Sequence, residues 1–187
     1  MKEQELRASS QAQQIVEQVL TKGGTAVDAT AGNGHDTLFL SRLAGTDGTV
    51  LAFDIQEQAL ENTAALLEKS GAPDNVTLIQ ANHACFTEPD RLPEQVDVFM
   101  YNLGYLPGGD HGCMTESGDT VCSLEAAVSR LKPGGLITVC LYPHNPEETE
   151  KVEAFCRNLT DGLSAFIVKR LNRNNPPFLI VITKEDE

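Results

Sequence analysis

The chain has 187 residues, 41% of them hydrophobic, and a formal net charge of -13 at pH 7. One domain of this length can bury a full core, and the acidic balance argues against nonspecific binding to polyanions or anionic membranes while leaving room for a local basic patch. Five cysteines, at positions 85, 113, 122, 140 and 156, form no Cys-x-x-Cys pair and are odd in number, which reads as reduced thiols in the cytoplasm.

The start Met1-Lys2-Glu3-Gln4-Glu5 lacks the apolar run of a signal peptide, and no later run is long enough to span a bilayer. The spacing of Ala12, Ile15, Val16, Val19 and Leu20 predicts an amphipathic helix over residues 3–22, stopped by Lys22-Gly23-Gly24. Such a helix packs on the sheet and could border a pocket. Thr25 to Ala29 then reads as a short buried strand. It breaks at Gly32-Asn33-Gly34, and a helix resumes from His35 to Leu43. A strand that turns through Gly-x-Gly into a helix can bring backbone close to a nucleotide. The dinucleotide pattern wants a third glycine where this chain has Thr37. The S-adenosylmethionine pattern wants an acid at the strand end, here Asp28, followed by x-Gly-x-Gly-x-Gly. Thr30 replaces its first glycine, whereas Gly32 and Gly34 are kept. A tight turn without a ligand is the alternative.

Thr49–Asp54 is a second buried strand ending in an acid about 20 residues past the turn, the place of a ribose-binding carboxylate. Asp54 could equally cap the helix Gln56–Ser70. In the first case Gln56 lies beside the ribose or adenine. Val76–Ile79 is the third strand, and Gln80-Ala81-Asn82-His83 follows at the edge where open α/β sheets bind ligands. Asn82 and His83 could face adenine, or His83 could cap a local turn. Val96–Tyr101 is an apolar, central strand. It runs into Asn102-Leu103-Gly104-Tyr105-Leu106-Pro107-Gly108-Gly109-Asp110, a glycine-rich loop at the same edge. Asn102 offers a carbonyl acceptor and Tyr105 an aromatic face for a base; a purely structural loop is the alternative. His111 and Cys113 lack a second pair at zinc-like spacing, so no metal is expected.

A helix over Thr120–Leu131 is stopped by Lys132-Pro133-Gly134-Gly135. Strand five is Leu136–Tyr142, and an acidic helix spans Glu147–Leu159. Two last strands, Ser164–Leu171 and Phe178–Thr183, are joined by a link too short for a parallel crossover, so they must be antiparallel. Lys169, Arg170 and Arg173 form the densest basic cluster. A parallel sheet ending in an antiparallel hairpin is the arrangement of S-adenosylmethionine-dependent methyltransferases. The fold expected is therefore α/β: a Rossmann-like class I methyltransferase with a seven-stranded, mostly parallel sheet. It forms a single domain over 1–187, with an N-terminal helix (1–22) before the core (25–187).

Four blocks carry a family resemblance: Asp28 through Leu40, Phe53-Asp54-Ile55-Gln56, Asn102 through Asp110, and Asn174-Asn175-Pro176-Pro177-Phe178. In sequence and order they resemble the bacterial family long labelled putative rRNA methylase. Its members are similar to the tRNA methyltransferase that converts 5-aminomethyl-(2-thio)uridine to 5-methylaminomethyl-(2-thio)uridine at the wobble position. The resemblance implies S-adenosyl-L-methionine as cofactor, held by Asn33, His35, Asp36, Asp54, Gln56 and His83, with Asp28, Gly32, Gly34 and Asn82 around them. It implies that the loop with Leu103, Gly104, Leu106 and Pro107 faces the methyl-accepting amine, and that Arg173, Asn175 and Pro176 lie near the nucleotide. Asn102 would accept hydrogen bonds from the amine, Tyr105 would border the base and Asp110 would accept the proton. Many relatives carry Gly-His after the Tyr-Pro of strand five, whereas this chain reads Tyr142-Pro143-His144-Asn145, so His144 receives no catalytic role. The partner implied is a tRNA anticodon loop reached through Lys169, Arg170 and Arg173, with no membrane partner. An edge strand or the N-terminal helix could support a homodimer. Methylation of rRNA or of a small amine is the alternative activity, and a cofactor-binding module without transferase activity is the non-enzyme reading.

Overall fold

The computed structural model describes residues 7–104, 117–160 and 162–186. In chain order the elements are α1 (Ala8–Val16), β1 (Thr25–Asp28), α2 (His35–Ala44), β2 (Thr49–Asp54), α3 (Glu57–Lys69), β3 (Val76–Gln80), β4 (Val96–Asn102), α4 (Ser117–Arg130), β5 (Leu131–Leu141), α5 (Pro146–Arg157), β6 (Leu163–Val168) and β7 (Phe178–Lys184). A short 3-10 helix spans His83–Thr87. The strands form one seven-stranded sheet in the order β3-β2-β1-β4-β5-β7-β6. The first five are parallel. β7 runs antiparallel to both β5 and β6. The predicted hairpin is therefore present, and its second strand is inserted between β5 and β6.

Strand alternation divides the core into two layers. Ala26, Val50, Val98, Met100, Leu136 and Cys140 point to one face, where Ala12 and Val16 of α1, Leu20 just after it, and Leu40 and Ala44 of α2 cover them. Val27, Phe53, Phe99, Tyr101, Ile137 and Val139 point to the other, against Phe86, Leu124 and Ala127 of α4, and Val152 of α5. Burial on both faces is why β4 and β5 read as nearly continuous apolar runs. No helix among the described residues is long and apolar enough to cross a membrane.

Two elements differ from their sequence prediction. The first helix ends at Val16 rather than continuing to residue 22. Beyond it the chain stays in tight turns, with the Leu20 N–H on the Val16 carbonyl, so Leu20 still reaches the core. Its predicted first residues, 3–6, lie outside the described residues. The second difference is Lys132-Pro133-Gly134-Gly135, which sits inside β5 rather than before it. The register with β4 jumps from Val96↔Leu131 to Val98↔Leu136, a bulge that absorbs the extra residues. Gly134 takes φ +72 there, and a Cβ on Gly135 would stand 2.8 Å from the Asp97 carbonyl oxygen.

Asp97 fastens this end of the sheet. Its carboxylate accepts the Thr25 N–H at 2.7 Å and the Lys132 ammonium at 2.7 and 2.9 Å, joining the starts of β1, β4 and β5. Asp97→Ala would leave both donors without their carboxylate. It is expected to lower the unfolding free energy by about 1–3 kcal/mol, read from urea denaturation with an unchanged m-value.

Candidate active site

The carboxyl ends of the parallel strands deliver their following residues to one edge of the sheet. At the end of β1 the Asp28 carboxylate is 1% exposed. It accepts the Thr37 hydroxyl at 2.6 Å and the Thr30 N–H at 3.1 Å. Asp28, expected to touch a ligand, is thus buried and spent on the turn itself. Gly34 caps α2 with φ +82. A Cβ there would lie 2.8 Å from the Thr63 Cα, so the close packing of α3 on the turn requires glycine. Thr63 donates its hydroxyl to the Gly32 carbonyl at 3.2 Å, and the Asn62 amide donates to Asn33 Oδ1 at 3.0 Å.

Asp54 serves the same turn. One carboxylate oxygen accepts the Gly32 N–H at 2.9 Å and the other the Gln56 N–H at 2.9 Å. Gln56 itself occupies the N-cap position of α3. Capping and ligand binding are compatible here, because each carboxylate oxygen keeps a second lone pair. Ile55 stands between them, 39% exposed, an apolar side chain at the ligand edge that the sequence reading did not single out. His35 is exposed on the first turn of α2.

At the end of β3, Asn82 is spent on structure. Its Oδ1 accepts the Ala84 N–H at 3.0 Å and its amide donates to Asp119 of α4 at 2.7 Å. His83 turns inward: it is 4% exposed, its ring 5.7 Å from that of Tyr101. Neither ring nitrogen has a partner among the described residues. Burial pushes its imidazole down to about 4, so it is neutral near pH 7. Buried nitrogens left open are uncommon and costly.

The end of β4 is tied to the turn by the Asn102 N–H, which donates to Thr30 Oγ1 at 2.8 Å. Thr30 is the residue that departs from the glycine pattern, and its hydroxyl is the reason the departure is useful. The Asn102 Oδ1 accepts the Tyr142 O–H at 2.9 Å, and the side chain lies near enough to the Asp36 carboxylate to favour its ionised form. Asp36 in turn accepts the Gln13 amide of α1 at 2.7 Å. Tyr142 and Gln13 were not singled out from sequence. Gly104 lies against the Tyr142 ring, where a Cβ would approach to 3.0 Å. Leu103, expected to face substrate, is instead in the core at 7% exposure. Tyr105, Leu106, Pro107 and Asp110 lie outside the described residues.

Leu141↔Phe178 pairing brings the β6–β7 connection to this edge. Arg173 and Asn175 are exposed on it, whereas Pro176 is buried. Leu171 is 95% exposed, and the Lys169 ammonium stands 5.1 Å from the Phe178 ring centroid. Carboxylates dominate the centre. Burial, then the neighbouring Asp36, pushes the Asp28 carboxyl up to about 7. Burial also raises Asp36. A turn that admits backbone to close range, a partly exposed acid at the end of β2 and an excess of negative charge fit a nucleoside that carries a positive charge.

Asp28 gives stability a pH dependence of definite sign. Its folded pKa lies above its ordinary 3.8, so between about pH 4 and 7 the folded chain holds a proton that the unfolded chain has released. Stability therefore falls as pH rises through that window. Asp28→Asn should flatten the slope in urea titrations at about pH 4.5, 6 and 7.5. Gly34→Ala should cost about 2–4 kcal/mol. Gly23→Ala, with φ +81 but nothing within 4 Å of its Cβ, should cost only about 1 kcal/mol, and the difference between the two isolates the Thr63 contact.

Residues 50–184 match the family model described as Putative rRNA methylase. The chain is 38% identical over 193 aligned residues to the chloroplastic tRNA (mnm(5)s(2)U34)-methyltransferase of Arabidopsis thaliana, covering 96% of this chain and 70% of that protein. Its fold is similar to that of an rRNA-methylase from Clostridium thermocellum, with TM-score 0.89 and 37% identity over 95% of this chain and 97% of the other. A Streptococcus mutans methyltransferase, solved in complex with SAH, superposes with TM-score 0.85 and 35% identity over 95% of this chain and 98% of that one. The sheet order and the antiparallel β7 are those of class I methyltransferases, and the chain belongs to the family described as Putative rRNA methylase.

Proposed function

We propose that this chain is an S-adenosylmethionine-dependent methyltransferase that N-methylates the aminomethyl group of 5-aminomethyl-(2-thio)uridine at the tRNA wobble position. The observation that carries the reading is the Asn102 side chain, held beside the glycine turn by the Tyr142 O–H on its Oδ1 and by its own backbone N–H on Thr30. The Arabidopsis relative, named as a tRNA (mnm(5)s(2)U34)-methyltransferase and aligned over nearly the whole chain, supports the substrate class.

In this reading the turn Gly32-Asn33-Gly34 with His35 receives the amino-acid part of the cofactor, and Asp54 and Gln56 receive the ribose. Ile55 packs on the adenine. When bound, S-adenosylmethionine supplies a methyl group made electrophilic by its sulfonium. The chain's own task is orientation. Asn102 Oδ1 keeps one lone pair beyond the Tyr142 hydrogen bond. That lone pair accepts an N–H of the neutral substrate amine and aims the nitrogen's own lone pair at the methyl carbon. Tyr105 borders the base and Asp110 takes the proton lost after attack. The exposed Leu171, with Lys169, Arg170 and Arg173, offers an apolar and basic strip to an anticodon loop on an otherwise acidic protein.

Asn102→Ala is expected to lower turnover on tRNA by about a hundredfold while leaving cofactor affinity within about threefold. Nucleoside mass spectrometry of tRNA from a strain lacking the gene should show 5-aminomethyl-(2-thio)uridine accumulating and its methylated form lost. Wild type should reverse this and Asn102→Ala should not. An unchanged wobble uridine would move the acceptor to rRNA or a small amine, the latter favoured by the net charge of -13.

A further inference from the structure

Asn102 stands in a four-residue chain whose members come from four separate elements. Gln13 comes from α1, Asp36 from α2, Asn102 from the end of β4 and Tyr142 from just past β5. The hydrogen bonds are Gln13 Nε2 to Asp36 Oδ1 at 2.7 Å and Tyr142 O–H to Asn102 Oδ1 at 2.9 Å; the Asn102 side chain also lies near enough to the Asp36 carboxylate to favour its ionised form. Strand parity explains the convergence. Asn102 continues the Val98–Met100 series of β4 and Tyr142 continues the Leu136–Thr138–Cys140 series of β5, both on the face covered by α1 and α2. The strands are in register at Asn102↔Cys140, so the two side chains meet one step beyond the sheet.

We infer that Tyr142 is a positioning residue that holds the Asn102 side-chain amide in one orientation, an orientation that the Asp36 carboxylate, anchored by Gln13, favours by its charge. The inference rests on the reading of Asn102 as the group that receives the methyl-accepting amine.

An amide can rotate by a half turn with little change in shape, exchanging its oxygen for its nitrogen. Tyr142 does not forbid the exchange, because a phenol can accept as well as donate. Asp36 disfavours it. An ionised carboxylate only accepts, so Asn102 Oδ1 turned toward it would bring two acceptors together with no proton between them. The nitrogen is favoured on the Asp36 side, with the oxygen on Tyr142. Burial raises the Tyr142 phenol, which keeps its proton available to the amide. Gln13 fixes the carboxylate from behind, so α1 takes part in the site through one hydrogen bond. A carboxylate at the nitrogen end also polarises the amide and strengthens its oxygen as an acceptor.

Tyr142→Phe keeps the ring that packs on Gly104 and removes only the hydroxyl. At saturating cofactor and 5-aminomethyl-uridine tRNA it is expected to lower kcat by about tenfold. Cofactor Kd and KM for tRNA should stay within about twofold. Asp36→Asn introduces a group that both donates and accepts. It should lower kcat similarly, because the amide can then sit either way. Added to Asn102→Ala, neither substitution should lower kcat further, since the side chain they orient is gone. A kcat of Tyr142→Phe equal to wild type, or losses that multiply in the double variants, would overturn the assignment. If wild type itself transfers no methyl group to this tRNA, it is the acceptor reading that fails. The positioning claim is then decided by 15N spectra of the protein. Faster exchange and converging proton shifts of the Asn102 side-chain amide in Tyr142→Phe and Asp36→Asn support it, and an amide pair unmoved in both variants refutes it.

Discussion

The buried carboxylate of Asp28 is the fixed point of the molecule's working edge. It takes the Thr37 hydroxyl from α2 and the Thr30 N–H from the turn, so the strand, the glycine turn and the following helix move as one piece. Thr30 then passes the constraint on, because its hydroxyl receives the Asn102 N–H at the end of β4. From Asn102 it continues to Tyr142, just past β5. One carboxylate only 1% exposed thereby sets the geometry of groups on four elements. A hydrogen-bonded polar network in so dry a setting is favourable only when all its members are satisfied, and here the neighbouring contacts are short.

The same arrangement concentrates negative charge. Asp36 is near enough to help raise Asp28, and burial raises both. The fold accepts this cost at the carboxyl edge, where three acids from β1, α2 and the end of β2 surround the glycine turn. Nothing in the packing of the sheet calls for it. Two of these acids hold backbone N–H groups of the turn, and their charge is complementary to a cationic nucleoside. The opposite edge handles its acid differently. There Asp97 meets the Lys132 ammonium directly, with side chains 24% and 31% exposed.

Much of this was legible in the sequence because the signals were local. The glycine turn, the acids closing β1 and β2 and the apolar runs of β2, β4 and β7 depend only on neighbouring residues, and the observed strands fall on them. The Tyr142–Asn102 contact was not legible. It follows from strand parity together with the Asn102↔Cys140 register, and register is a long-range property that no local pattern encodes. Gln13 is further removed, since its role depends on where α1 docks. His83 reads as an edge residue until the 3-10 helix beginning at it turns the ring into the core. Lys132-Pro133-Gly134-Gly135 has the composition of a helix stop and does end α4. Its continuation as a bulged strand is dictated by pairing with Val96 and Val98, a partner thirty-odd residues upstream.

The place of β7 has a bearing on how the chain is made. Strands β1 to β3 can pair with sequence neighbours as soon as they leave the ribosome, whereas β5 gains its second neighbour only from residues 178–184. Until that last stretch is synthesised, the apolar row Leu136, Ile137, Val139 and Leu141 borders an open edge, the condition that favours misassociation of nascent chains. β6 cannot shield it, because among the described residues β6 pairs only with β7. Loss of residues 178–184 would thus remove an interior strand and set β6 adrift, where loss of an edge strand leaves the rest of a sheet paired.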